Sequence, residues 1–223
     1  MAIDRVQTGI NGLDELVEGG LVRNSAVLVA GKTGSGKTMF ITQFLYGGAK
    51  LYREPGILVT TEETSRSIRN HGARFGWNLE EMENKGMLKI IEVEPFSIDT
   101  LVTMLEREIQ GIHAKRIVID SVSMFEMYIE KQLEMRKLLF KTLRRLKDLG
   151  TTVMITAEIP EDSQALSRYG VIEFAADAVI VLQYLTLTKY KRSLLIRKMR
   201  DTNHSTDIHP FEIMENGINV MSI

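Results

Sequence analysis

The sequence predicts an α/β fold: a mostly parallel sheet flanked by helices, with antiparallel strands at one edge near the C-terminus. Three observations predict it. From residue 25 to about residue 158, short β-branched runs alternate with segments of helical period, the pattern of strands joined by crossover helices. A glycine-rich stretch, "GKTGSGKT", lies between one such run and one such segment. After Asp177 the chain changes to the strand-like runs "AVIVLQYLTLT", "SLLIRKMR" and "FEIMENGINV", separated by short turns. These runs suit antiparallel hairpins added at an edge.

The bulk numbers agree. The 223 residues are 44% hydrophobic and 26% charged, a composition and length that suit one globular domain spanning residues 1–223. A formal net charge of −1 gives no global pull toward nucleic acid or an anionic membrane. Cysteine is absent, which excludes disulfides and thiolate metal sites. No apolar run approaches transmembrane length and "MAIDRVQTGI" carries no apolar signal core, so a soluble, cytoplasmic protein is expected.

Along the chain, "NGLDELVEGG" reads as a short helix stopped by glycines. Ser25–Ala30 is the first core strand, followed by the glycine-rich loop and a helix to about Tyr52. Ile57–Thr61 is a second strand, because β-branched residues crowd a run too short for a helix. A helical segment runs from near Thr64 to near Gly76, and Met87–Val93 is a third strand. "SIDTLVTMLEREIQ" has helical spacing, with Ser97 as its expected cap. Arg116–Asp120 is a fourth strand, "LEMRKLLFKTLRRLKDLG" an amphipathic helix, and "TTVMITAE" a fifth strand. "IPEDSQALSRYG" is polar and aperiodic and reads as a mobile surface loop.

"GKTGSGKT" (Gly31 to Thr38) fits GxxxxGK(S/T). Its strand-before, helix-after context is what this motif needs to cradle phosphates. Gly31, Gly34 and Gly36 allow close approach of backbone N–H groups, and the helix start adds partial positive charge. Lys37 is expected on the β- and γ-phosphates and Thr38 on Mg²⁺. Thr33, Ser35 and Met39 complete the expected contact set. Asp120, after four strand residues, is the expected second Mg²⁺ anchor.

Glu62 and Glu63 follow the second strand. Ligands of parallel sheets sit at carboxyl ends of strands, and hydrolysis needs a carboxylate to orient or polarise water. Adjacent strand residues face opposite ways, so one glutamate should face the γ-phosphate and the other support it. Glu62 is the expected base. A pair of acids opening the next helix is the alternative reading.

"TGINGLDELVEGGL", "GKTGSGKT", "EPGILVTTEET", "FGWNLEEM", "RIVIDSVS" and "IRKMRDTNH" occur in this order. With them the chain resembles the KaiC family of RecA-like ATPases over nearly its whole length. The resemblance implies a RecA-like P-loop core, ATP and Mg²⁺ as ligands, and a homo-oligomer, as a hexameric ring, with ATP between neighbours. It makes Glu62 and Glu63 the catalytic pair. It also implies that Lys198 and Arg200 reach the neighbour's phosphates, with Thr202 and His204 as further nucleotide contacts. Asp201 departs from the family's usual glycine and puts the geometry of that segment in question. Without the resemblance, Lys198 and Arg200 read as a solvated strand face.

The leading function is therefore ATP hydrolysis in a regulatory protein with an unidentified protein partner. A DNA-binding recombinase-type ATPase and a slow switch subunit are the alternatives. "SVSMFEMYIEKQ" and "IPEDSQALSRYG" carry acids and few bases, which argues against tight nucleic-acid binding. That family includes a cyanobacterial clock protein with two such domains in tandem, and the resemblance aligns Glu173 and Phe174 with the Ser-Thr pair that is modified in its phosphorylating half, so no such autophosphorylation is expected.

Overall fold

In the computed structural model, which describes residues 2–93, 98–122, 129, 131–160, 172–184 and 191–222, alternation along the central strands splits the apolar side chains between two cores. β1 (Arg5–Val6) and β2 (Leu21–Val22) form a small antiparallel ribbon around a 3-10 turn at Asp14–Val17. The main sheet has nine strands: β3 (Ala26–Gly31), β4 (Gly56–Thr60), β5 (Leu88–Glu92), β6 (Arg116–Asp120), β7 (Thr152–Glu158), β8 (Ala178–Tyr184), β9 (Arg192–Met199), β10 (Ile208–Met214) and β11 (Gly217–Val220). Their spatial order is β11-β10-β9-β8-β3-β7-β6-β4-β5. The six strands from β8 to β5 are parallel, and β9 to β11 are antiparallel.

The helices among the described residues are α1 (Lys37–Leu51), α2 (Ser65–Ala73), α3 (Leu79–Asn84), α4 (Ile98–Ile112), α5 (Gln132–Asp148) and α6 (Ile172–Ala175). On one face Val27, Val29, Leu58 and Val118 pack with Phe40, Ile41 and Phe44 of α1. On the other face Leu28, Val59, Ile117 and Ile155 pack with α4 and α5 through Leu105, Leu139 and Leu143. Two-sided burial accounts for strands that read as near-continuous hydrophobic runs. At the amino end of the sheet the fully buried Arg116 pairs with Glu54 (2.7 Å) and donates to Phe44 O and Gln7 O, each at 2.8 Å. These partners make its burial tolerable and tie β6 to α1.

The parallel register matters most for function. Gly31 lies opposite Glu158, and Thr60 opposite Asp120. The carboxyl ends of β3, β4, β6 and β7 therefore share one rim.

Two sequence expectations are corrected, and two short elements are new. The run "AVIVLQY" is parallel to β3, so antiparallel pairing begins only at β9; the crossover before it has no legible period. "FEIMENGINV" is a hairpin of two strands, because Glu215 and Asn216 turn the chain and Met214 pairs with Gly217. The β1–β2 ribbon and α3 were not anticipated: two-residue strands and a six-residue helix are too short to carry a period. The expected Ser97 cap, most of the loops "SVSMFEMYIEKQ" and "IPEDSQALSRYG", and the "LTLT" end of the run after Asp177 lie outside the described residues. No helix among the described residues is long and apolar enough to cross a membrane.

Candidate active site

At the shared rim the chain leaves β3, turns through the glycine loop and enters α1. Gly34 and Gly36 have φ of +74° and +105°, conformations that side chains with a Cβ resist. At Gly31 the reason is space: a Cβ would stand 2.4 Å from Ser35 Oγ and 2.7 Å from Leu182 O. Lys37 Nζ folds back onto the loop, donating to Gly31 O (2.8 Å) and Lys32 O (3.1 Å). Burial lowers its pKa, while Glu158, Asp120 and Glu62 pull it upward. Thr33, Gly34, Gly36, Lys37, Thr38 and Met39 line a cavity of about 430 Å³. Gly31 and Ser35 stand behind it; Ser35 has a buried side chain and an amide that donates to Lys32 O.

Thr38 Oγ1 donates to Asp120 Oδ2 at 3.0 Å. The other Asp120 oxygen accepts from Thr156 Oγ1 of β7. Asp120 is 3% exposed, and burial raises its carboxyl above the ordinary range against the pull of Thr156, Thr38 and Lys37. Thr38 and Asp120 thus present neighbouring oxygens at the cavity wall. Two protein oxygens, with phosphate and water completing the shell, fit Mg²⁺. The described residues hold no cluster of three His, Cys, Asp or Glu residues suited to a metal cage.

β4 ends at Thr60, so both glutamates lie in the bend after it, and both line the cavity. The expected opposite-face arrangement does not occur. Thr60 Oγ1 donates to Glu63 O and accepts from Glu63 N, which shapes the bend. Thr64 then caps α2 by accepting from Ser67 N. The two acids have different neighbours. Glu62 Oε1 accepts from Ser121 Oγ at 2.5 Å, beside Asp120. Glu63 Oε2 accepts from Ser67 Oγ at 2.8 Å and lies 3.3 Å from His71 Nδ1, on the α2 side.

The far wall is apolar, with Ile68, Phe75 and Trp77 beside Gly72. Sequence reasoning missed this wall, although "FGW" signalled aromatics near the site. It also missed Ser121, Thr156, Tyr184 and Glu158. Tyr184, from the end of β8, donates its hydroxyl to Gly34 O at 2.6 Å and is backed by Arg192 at 3.2 Å. Glu158 ends β7 as Asp120 ends β6, so the same rule about strand ends could have found it.

The basic segment is elsewhere. Lys198 pairs across the sheet with Val179, whereas Leu194 stands level with Leu182 and Gly31. Four strand residues, about 13 Å, separate those levels. Lys198 Nζ donates to Ala176 O at 2.6 Å, at the end of α6. β9 ends at Met199, so Arg200 lies in the following turn and not on the strand. Thr202 Oγ1 accepts from Arg5 at 3.0 Å, and His204 Nδ1 lies 2.8 Å from Ser205 O. Asp201 has φ +55°, the left-handed conformation for which glycine is favoured and which aspartate tolerates. None of these residues borders the cavity of its own chain.

A family model described as "ATPase: KaiC" matches residues 6–223. The circadian clock oscillator protein KaiC of Synechococcus elongatus is 37% identical over 234 residues, covering 100% of this chain and 45% of that protein. The chain therefore spans about half the length of the clock proteins it matches. The protein MK0039 of Methanopyrus kandleri is 35% identical over 238 residues, covering 99% of this chain and 93% of that protein. The crystal structure of a KaiC-like protein, PH0186, from Pyrococcus horikoshii superposes with a TM-score of 0.90 at 42% identity, covering 99% of this chain and 100% of that one.

Proposed function

The chain belongs to the KaiC ATPase family, and on that premise we propose that it is a Mg²⁺-dependent ATPase whose active site is completed by a neighbouring copy. The observation that carries this reading is the convergence of Lys37, Thr38, Asp120 and Glu62 on one cavity at the carboxyl rim of a parallel sheet. Lys37 leaves its loop carbonyls for the β- and γ-phosphates. Thr38 and Asp120 would hold Mg²⁺, which would supply neutralisation of phosphate charge. Glu62 accepts a proton from, or orients, the attacking water, and Ser121 keeps its carboxylate pointed inward. Glu63, held by Ser67, supports that bend. Met39, Ile68, Phe75 and Trp77 offer an apolar wall for the base.

Lys37 is the one lysine or arginine among the described residues lining the cavity. A dissociating γ-phosphoryl group spreads charge that a second cation would stabilise. Lys198 and Arg200 are too far along the sheet to serve their own chain, which supports their serving the next subunit in a ring, with Thr202 and His204 beside them. ATP bridging two copies would then promote assembly, of which the hexameric ring is the form we propose. Such coupling suits a regulatory role in the cytoplasm.

The test is phosphate release from ATP with Mg²⁺ and with EDTA, beside sedimentation with and without ATP. Mg²⁺-dependent release and ATP-dependent assembly are expected. Full-rate hydrolysis by a monomer overturns the shared site, and absence of hydrolysis in every assembly state overturns the enzymatic reading.

A further inference from the structure

Resting on that reading, we propose that Glu158 is a specificity-determining carboxylate that weakens ATP relative to ADP from the terminal-phosphate side of the cradle. Glu158 has no part in the mechanism above. It is the last residue of β7, level with Gly31, the first residue of the cradle. Its Oε1 accepts the hydroxyl of Thr33, inside the loop, and its side chain lines the cavity with Lys37. Burial lowers the Lys37 pKa, and Glu158 is first among the acids that pull it back upward, ahead of Asp120 and Glu62.

Asp120 has a use for its charge in Mg²⁺, and Glu62 has one in water. Glu158 instead holds a loop side chain beside the lysine that must receive the terminal phosphate. A γ-phosphate entering there competes with Glu158 for the Thr33 hydroxyl, approaches the Lys37 ammonium from the same cavity, and carries charge of the same sign as the carboxylate. The carboxylate must withdraw from Thr33 or stay and repel the ligand. ADP ends one phosphate short and meets less of this repulsion. Glu158 therefore narrows the preference for ATP over ADP.

Trp77 is the single tryptophan of the chain and lines the same cavity, so its fluorescence reports occupancy. Mg²⁺ADP and the Mg²⁺ complex of a methylene-bridged, non-hydrolysable ATP analogue are titrated into wild type, Glu158→Gln, Glu158→Asp and Lys37→Ala. Glu158→Gln should tighten the ATP analogue about tenfold, the scale of one close like-charge contact in a partly solvated site, and ADP less than about threefold. Glu158→Asp, which keeps the charge, should stay within about threefold of wild type for both. Equal tightening of both ligands, or weaker binding of the analogue by Glu158→Gln, overturns the proposal. Lys37→Ala separates the two levels of the argument. If it binds both ligands as wild type does, the cradle reading itself fails; if it loses both while Glu158→Gln changes neither, only the role of Glu158 fails.

Discussion

Thr38 Oγ1 and Asp120 Oδ2, 82 positions apart in sequence, meet at 3.0 Å and join the first turn of α1 to the end of β6. Burial holds the Asp120 carboxyl above its ordinary range, so the folded protein takes up a proton there more readily than the unfolded chain. The ionised group therefore costs stability at neutral pH, and that cost fades as pH falls through the raised value. Asp120→Asn should raise the melting temperature of the nucleotide-free protein at neutral pH. It should also abolish Mg²⁺-supported hydrolysis. Calorimetry and phosphate release check both, and an unchanged rate removes Asp120 from the metal site.

The glutamates should separate. Glu62 faces Ser121 beside Asp120, and Glu63 faces Ser67 and His71. Glu62→Gln should lower turnover about 10²–10⁴-fold, the usual weight of a general base, with ATP binding retained. Glu63→Gln should cost less. Equal rates for wild type and Glu62→Gln would reassign the base.

Arg200→Ala should keep the fold, because Arg200 is exposed in a turn, but lose most hydrolysis and weaken ATP-dependent assembly. Arginine fingers carry about 10³–10⁵ in rate. Mixing Arg200→Ala with the Glu62→Gln/Glu63→Gln double variant should restore part of the activity, since some interfaces then hold an intact cradle and an intact neighbour. No recovery at any ratio of freely exchanging subunits contradicts the shared site.

Asp201 bears on the geometry of the same turn. Its φ of +55° is strained for most side chains. Asp201→Gly should be neutral or stabilising by up to about 1 kcal/mol, and Asp201→Val destabilising by about 1–2 kcal/mol. Thermal melts give the comparison; a stabilising valine would refute the strain.

Glu173 and Phe174 lie on α6 and carry no hydroxyl. Incubation with ATP should therefore leave no phosphate on them, as intact mass followed by peptide mapping will register. A phosphate mapped to residues 170–177 would contradict the expectation.

By itself the sequence determined the parallel core, the cradle, the acid that ends β6 and the pair that follows β4. Each is written in consecutive residues, because strand, tight turn and helix start are local choices of backbone conformation. Tertiary structure decided everything that depends on register. It made β8 parallel to β3, since the crossover before it has no period. It set Glu62 toward Ser121 and Glu63 toward Ser67, because β4 ends at Thr60 and the bend breaks the strand's alternation. It placed Lys198 about 13 Å of strand rise from its own cradle, and Tyr184 and Glu158 against the glycine loop from 150 and 125 positions away. Such contacts arise when separate segments bury their apolar faces on a common sheet, and no local pattern encodes which residues then stand level.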